Sequence, residues 1–351
     1  MNTGNLYSRY LNPTCVAAAA LVGALWLEPA LAAQPAENPV DAESVAHDNW
    51  RAFMTQNAAS AAGCFHASYP SYEWEKVDCK IPHPRFHPVH RKPANGAEVT
   101  GSGNDYVAQV AGLITQAVGA FPQTTGVLLE AGVGVPAYGG GGILGLGEFS
   151  LQINSNADGT TAACAGHSGC TVWQQFVYAT DYNTQGEAAV FMQYWLLNWG
   201  SSACPSGWGS DGDGDCYTNS AYVAAPDVPI TSLGSLKLSG SVVAGGNDTV
   251  VFNNGTNAYS ISGSDSELNI STVWNQVEFN VVGNGGGSRA DFNPLSSVTV
   301  NVALTDGSSS APTCVADAGT TGETNNLDLG SCSASGGSTP SIQFTESLLP
   351  L

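Results

Sequence analysis

Positive charge is what this chain has least of. Its 351 residues hold 9 Lys/Arg against 29 Asp/Glu, a formal net charge of −20. From Pro93 to Leu351 there are 21 acidic residues but only Lys237, Arg289 and one histidine, His167. A surface so poor in cations excludes nucleic acid as a partner, because neutralising phosphates requires Lys and Arg. It also leaves almost no imidazole or amine for acid–base work. An enzyme built on this body must use carboxylates, side-chain amides or a bound metal. Long apolar runs are missing too, apart from one near the N-terminus, so the remainder offers no segment to cross a membrane. G-x-S-x-G, H-E-x-x-H and C-x-x-C are all absent, which argues against a nucleophile elbow, a zincin and a zinc ribbon.

The apolar run that is present belongs to a secretory leader over residues 1–33. Arg9 gives it a basic start, Val16 to Leu27 its apolar stretch, and Ala30-Leu31-Ala32 its small-residue cleavage site. Cys15 lies inside it. The other eight cysteines form four close pairs, Cys64/Cys79, Cys164/Cys170, Cys204/Cys216 and Cys314/Cys332. In an exported chain, nearest-neighbour disulfides are the simplest expectation. The mature protein is expected to be extracellular or periplasmic.

Residues 34–100 read as a basic, His- and Pro-rich N-terminal arm, with the character of a prosegment. A helix is expected within 41–62, where Val45, Trp50, Phe53 and Met54 share a side. Coil follows, and the prolines between Ile81 and Pro93 exclude helix and central strand. With six Lys/Arg and five histidines between Gln34 and Lys92, the arm complements the acidic body, an expected electrostatic cover that acid would release. From about Gly101 short alternating runs dominate: 106–110, 126–130, 149–154, 172–180, 188–197, 235–243, 249–252, 258–262, 276–282 and 297–304. They are separated by Gly, Asn, Asp and Ser turns. The fold class is mainly β, an antiparallel sandwich over 101–351.

Alternation sorts side chains onto faces. Gln174 shares one with Phe176 and Tyr178, opposite Trp173 and Gln175. Gln193 shares one with Phe191, Trp195 and Trp199. Gln276, Glu278 and Asn280 oppose Val277, Phe279 and Val281. Amides and a carboxylate interleaved with aromatics suit a groove for a polymer; solvated outer-face positions are the competing reading. In Ser210-Asp211-Gly-Asp213-Gly-Asp215, three carboxylates alternate with glycines, like the opening of a calcium loop. A solvated acidic turn explains the same residues. His167 lies in a short Cys-bounded loop, where a loop role fits better than a catalytic one.

On Val172-Trp173-Gln174, Met192-Gln193-Tyr194-Trp195 and Val277-Glu278-Phe279, the stretch from Phe149 to Asp291 resembles the glutamic peptidases. These are secreted acid endopeptidases with a concanavalin-like double sheet. The resemblance implies one Gln and one Glu acting across the concave sheet, here Gln174 and Glu278. Phe176, Tyr178, Gln193, Trp195, Gln276 and Asn280 would line the substrate groove. Gln193 stands where that family carries an acid. The expected protein is a monomer acting on polypeptide with no required cofactor; the spacing of Asp211, Asp213 and Asp215 separately offers a site for a structural calcium, against a solvated acidic turn. The alternative is a carbohydrate-binding or polysaccharide-active sandwich stacking sugars on Trp195, Trp199, Phe191 and Tyr178.

Overall fold

The computed structural model describes residues 39–59, 61–82, 105–136, 140–200, 203–212, 214–316 and 321–348, without the side chains of 39–41. The expected leader, the Pro/His run from residue 83 onward and Asp213 lie outside the described residues. Residues 43–351 group into one compact unit; residues 1–42 group separately. Among the described residues no helix is long and apolar enough to cross a membrane.

Two nine-stranded antiparallel sheets face each other, and a small four-stranded sheet lies beside them. The fold is a mainly β sandwich preceded by one helix, Pro39–Gln56. The first sheet has Gln116–Thr125 at its middle, between Lys237–Ser241 and Ser297–Thr305. The second runs inward from Cys216–Asn219 through Glu187–Leu197, Thr171–Thr184 and Phe149–Ser155 to Gln276–Gly283, then Tyr106–Gln109. Alternating apolar residues of both sheets fill the space between them. Phe121 meets Phe279 at 5.1 Å between ring centres, and Tyr178 stacks on Phe252 at 3.9 Å. Each ring so buried contributes roughly 2–3 kcal/mol.

Two glycines make that closeness possible. A Cβ on Gly119 would fall 2.2 Å from the ring of Phe279, and one on Gly240 would fall 2.5 Å from that of Phe176. Gln116–Thr125 carries Pro122 in mid-sheet, which a ladder position would not tolerate. There the partner strand slips register between Thr299 and Asn301, so Phe121 and Pro122 together oppose Val300. The bulge absorbs the missing N–H.

Residues 126–130, expected as a strand, are not one: Gly126 turns at φ +68 and the next strand is Glu130–Gly134. Part of the expected arm is itself sheet. Gly63–Ser68 pairs along its whole length with Asn257–Ser264, and Trp50 and Met54 of the helix bury against Ala67 and Ala258. The four disulfides join the cysteines as nearest neighbours. Such bonds persist in oxidising, extracytoplasmic surroundings.

Candidate active site

The central strands of the second sheet are buried on both faces: every residue of Phe149–Ser155 is buried, and so are Val172 to Thr180. One face packs on the first sheet. The other carries a rung of polar side chains fixed by strand register, with Glu278 opposite Asn154, Asn154 opposite Gln175, Gln175 opposite Gln193, and Gln193 opposite Asn219. Directly opposed residues share a face, so the rung crosses five strands.

Hydrogen bonds connect most of it. Asn154 Nδ2 donates to Glu278 Oε2 at 3.2 Å, and Gln175 Nε2 donates to Asn154 Oδ1 at 3.1 Å and to Gln152 Oε1 at 2.8 Å. Gln193 Nε2 donates to Asn219 Oδ1 at 2.7 Å and accepts from Trp195 Nε1 at 2.8 Å. The rung is interrupted between Gln175 and Gln193. Gln175 Oε1 is buried and receives no hydrogen bond from any described residue. A cavity of about 30 Å³ opens at this break, walled in part by Gln152, Gln175, Gln193, Tyr182, Phe191 and Glu323. That is room for one or two waters. Apolar clusters bound the polar band, with Trp173, Trp195 and Tyr217 in one and Val177, Tyr182 and Phe191 in another.

Several acids of this region are buried and held by amides and hydroxyls. Asp105 hydrogen-bonds Asn280 and is pushed up to about 7, first by burial and then by the charge of Glu346. Burial pushes Glu346 up to about 8 against hydrogen bonds from Asn280 (3.2 Å) and Asn325 (3.0 Å). Glu323 reaches about 7, again chiefly through burial. Removing a carboxylate from water without a positive partner favours its neutral form.

The residues expected from the sequence are thereby divided. Gln174 is not on the face of Glu278. It points into the core between the sheets, where its Nε2 donates to Asp248 Oδ2 at 2.9 Å. Its neighbour Gln175 is the glutamine that shares Glu278's face. Phe176 and Tyr178 follow Gln174 into the core: Phe176 packs near Trp274, and the Tyr178 hydroxyl donates to Pro226 O. Their alternating positions put them under the sheet rather than in a groove. Gln193 and Trp195 do lie on the rung face, hydrogen-bonded to each other, and Trp195 is fully buried. Gln276 sits at the margin, donating to Gln109 Oε1 at 3.3 Å, and Asn280 is engaged with Asp105 and Glu346. Asp211 and Asp215 brace their own turn: Asp215 N donates to Asp211 Oδ1, and Asp215 Oδ1 accepts from Asn198 N at 2.6 Å. Among the described residues no group of three His, Cys, Asp or Glu is placed to hold a metal. His167 stacks on Trp199 at 3.3 Å, a loop contact. Glu323 escaped the sequence reading because Thr-Thr-Gly-Glu-Thr-Asn-Asn has no periodicity to mark it.

No family model matches the chain, and no curated protein matches it. A solved structure of SCP-B, described as a member of the Eqolisin family of peptidases in complex with the tripeptide Ala-Ile-His, is similar at 13% identity and a TM-score of 0.28. The match covers 70% of this chain and 97% of that one. The likeness is remote.

Proposed function

We propose that this chain is an exported acid peptidase whose site is the polar rung of the second sheet, with Glu278 as acid–base group and Gln175, not Gln174, as its amide partner. The observation that carries the reading is the interrupted rung: a carboxyl and an amide on one face, linked through Asn154, with Gln175 Oε1 unfilled at a water-sized cavity. Peptide hydrolysis needs a base for the attacking water, an acid for the leaving nitrogen and donors for the oxyanion. Glu278 would supply the first two in turn. Gln175 Oε1, two strands from Glu278, would accept a hydrogen bond from an N–H of the bound peptide, and the Asn154 amide beside Glu278 would meet the charge that develops on the carbonyl oxygen. Because carboxyl chemistry without imidazole requires a protonated acid, turnover is expected to be greatest in acid.

The test is cleavage of denatured protein by the mature chain between about pH 2 and 6, a range spanning the ordinary carboxyl pKa near 4. Glu278→Gln is expected to lose at least about 100-fold in kcat with unchanged circular dichroism. Gln175→Leu should lose activity as well. Full activity in Glu278→Gln, or a wild type inert towards every denatured substrate, overturns the assignment.

A further inference from the structure

Two residues that wall the cavity of about 30 Å³, Gln175 and Glu323, each bring it a buried acceptor. Gln175 Nε2 is held by Gln152 Oε1 and Asn154 Oδ1, so the amide cannot be turned around. Its Oε1 receives no hydrogen bond from any described residue, and neither does Glu323 Oε1. Glu323 comes from no strand of either large sheet, but the residues after it are pinned. Thr324 and Asn325 pair with Arg289 and Ala290, and Asn325 Nδ2 donates to Val281 O at 3.2 Å. The other carboxyl oxygen, Oε2, accepts from the Thr321 hydroxyl. Polar neighbours are engaged elsewhere: Gln152 Nε2 donates to Ser150 Oγ, and Gln193 is held by Asn219 and Trp195. Gly285 is the one wall residue that is not buried, and a Cβ on it would meet nothing within 4 Å, so space is open at that end.

We infer that this cavity is a side-chain subsite for a primary carboxamide, that of an Asn or Gln in the bound polypeptide. The inference rests on the peptidase reading above for the polypeptide, and on the cavity for the carboxamide. A buried acceptor without a donor costs about 1–3 kcal/mol, which a ligand bringing donors recovers. A carboxamide head carries two N–H donors and one acceptor in a single plane. One N–H meets Gln175 Oε1. Glu323 meets the head in either protonation state: ionised, it accepts the second N–H; neutral, its O–H donates to the amide oxygen. The two polar atoms of the head take the room of about two waters. Competing groups fit less well. A carboxylate brings no donor, and a hydroxyl brings one for two acceptors. An ammonium needs an ionised Glu323, which burial above all pushes up to about 7, so in acid the cation would be buried without a counter-charge.

The spacing to Glu278 fixes where that side chain falls in the substrate. Gln175 and Glu278 stand two strands apart, roughly 10 Å between backbones. An extended peptide covers that distance in about three residues. For a substrate laid across the strands, the selected Asn or Gln is therefore about two or three residues from the bond that is cut.

Two measurements on the full mature chain test this. The first needs no activity: propionamide is added while the Gln175 side-chain amide is followed by nitrogen-15 NMR, with propionate, 1-propanol and propylammonium as comparators of similar size. Propionamide should shift the signal saturably and bind at least about 10-fold more tightly than the others. Glu323→Leu should abolish the shift, and Glu323→Gln, which keeps a donor and an acceptor, should restore it. The second is kcat/KM on peptides carrying Asn, Gln, Leu, Asp or Lys within about three residues of the cleaved bond. At one position Asn or Gln should exceed Leu by about 10- to 100-fold. Glu323→Leu should level that preference while still cutting the Leu peptide. Ala179→Val, which narrows the cavity from its apolar side, should weaken the preference with Glu323 intact. No shift with propionamide overturns the subsite. Tighter binding of propylammonium overturns its carboxamide chemistry. Propionamide binding beside equal cleavage of Asn and Leu peptides overturns its part in substrate selection and leaves the peptidase reading standing. A wild type inert on every peptide overturns the peptidase reading instead, and the propionamide titration still decides the site.

Discussion

Replacing Asp248 with asparagine should flatten the dependence of stability on pH. Asp248 lies almost fully buried between the two sheets, with Gln174 Nε2 at 2.9 Å. Burial is the main cause that raises its pKa from 3.8 to about 8, opposed by the Gln174 hydrogen bond and assisted by Asp265. The folded state therefore holds a proton that the unfolded chain has lost. The stability linked to that proton is fully present below about pH 4, shrinks as pH rises, and is gone above about 8. A displacement of roughly four pH units at about 1.4 kcal/mol each amounts to about 5–6 kcal/mol. Against a typical total of about 5–15 kcal/mol, one residue decides much of the alkaline margin. Asparagine keeps an acceptor for Gln174 but has no charge to acquire. Urea unfolding at pH 4 to 8, with disulfides intact, should show the wild type losing about 5 kcal/mol more than Asp248→Asn across the range. Glu130, Glu148, Glu323 and Glu346 are raised in the same direction, and they remain in both proteins, so the difference isolates Asp248. Parallel curves would refute the reasoning.

Gly119→Ala should destabilise by about 1–3 kcal/mol through overpacking against Phe279, read by urea unfolding; an unchanged midpoint would mean the sheets separate more easily than their packing implies. Trp50→Ala should cost about 3–5 kcal/mol, because the indole is fully buried and its Nε1 donates to Ser71 O at 2.6 Å. A helix that only covers the body loosely would show little effect in the same measurement.

Alternation made the two faces of each strand legible: Val277, Phe279 and Val281 do point into the core, and Glu278 does not. It could not tell which face of one strand continues which face of the next. That requires register, and register places Gln175, not Gln174, on the rung. The same limit hid the burial of the polar face, since an amide reads alike whether water or another amide satisfies it. Gly63–Ser68 and Gln116–Thr125 were obscured by residues that break a strand pattern locally, Gly63 in one and Gly119 with Pro122 in the other. Their pairing supplies what propensity does not.

A sheet buried on both sides loses the usual guide to strand alignment, the division between oily and wet faces. A one-residue slip of Thr171–Thr184 against Phe149–Ser155 would expose nothing to solvent. It would instead set Gln175 among Phe279 and Phe121, and Phe176 among amides, leaving several donors and acceptors unmatched at about 1–3 kcal/mol each. The polar rung thus works as a key during assembly: the side chains proposed for chemistry are also those that permit a single alignment of the strands carrying them.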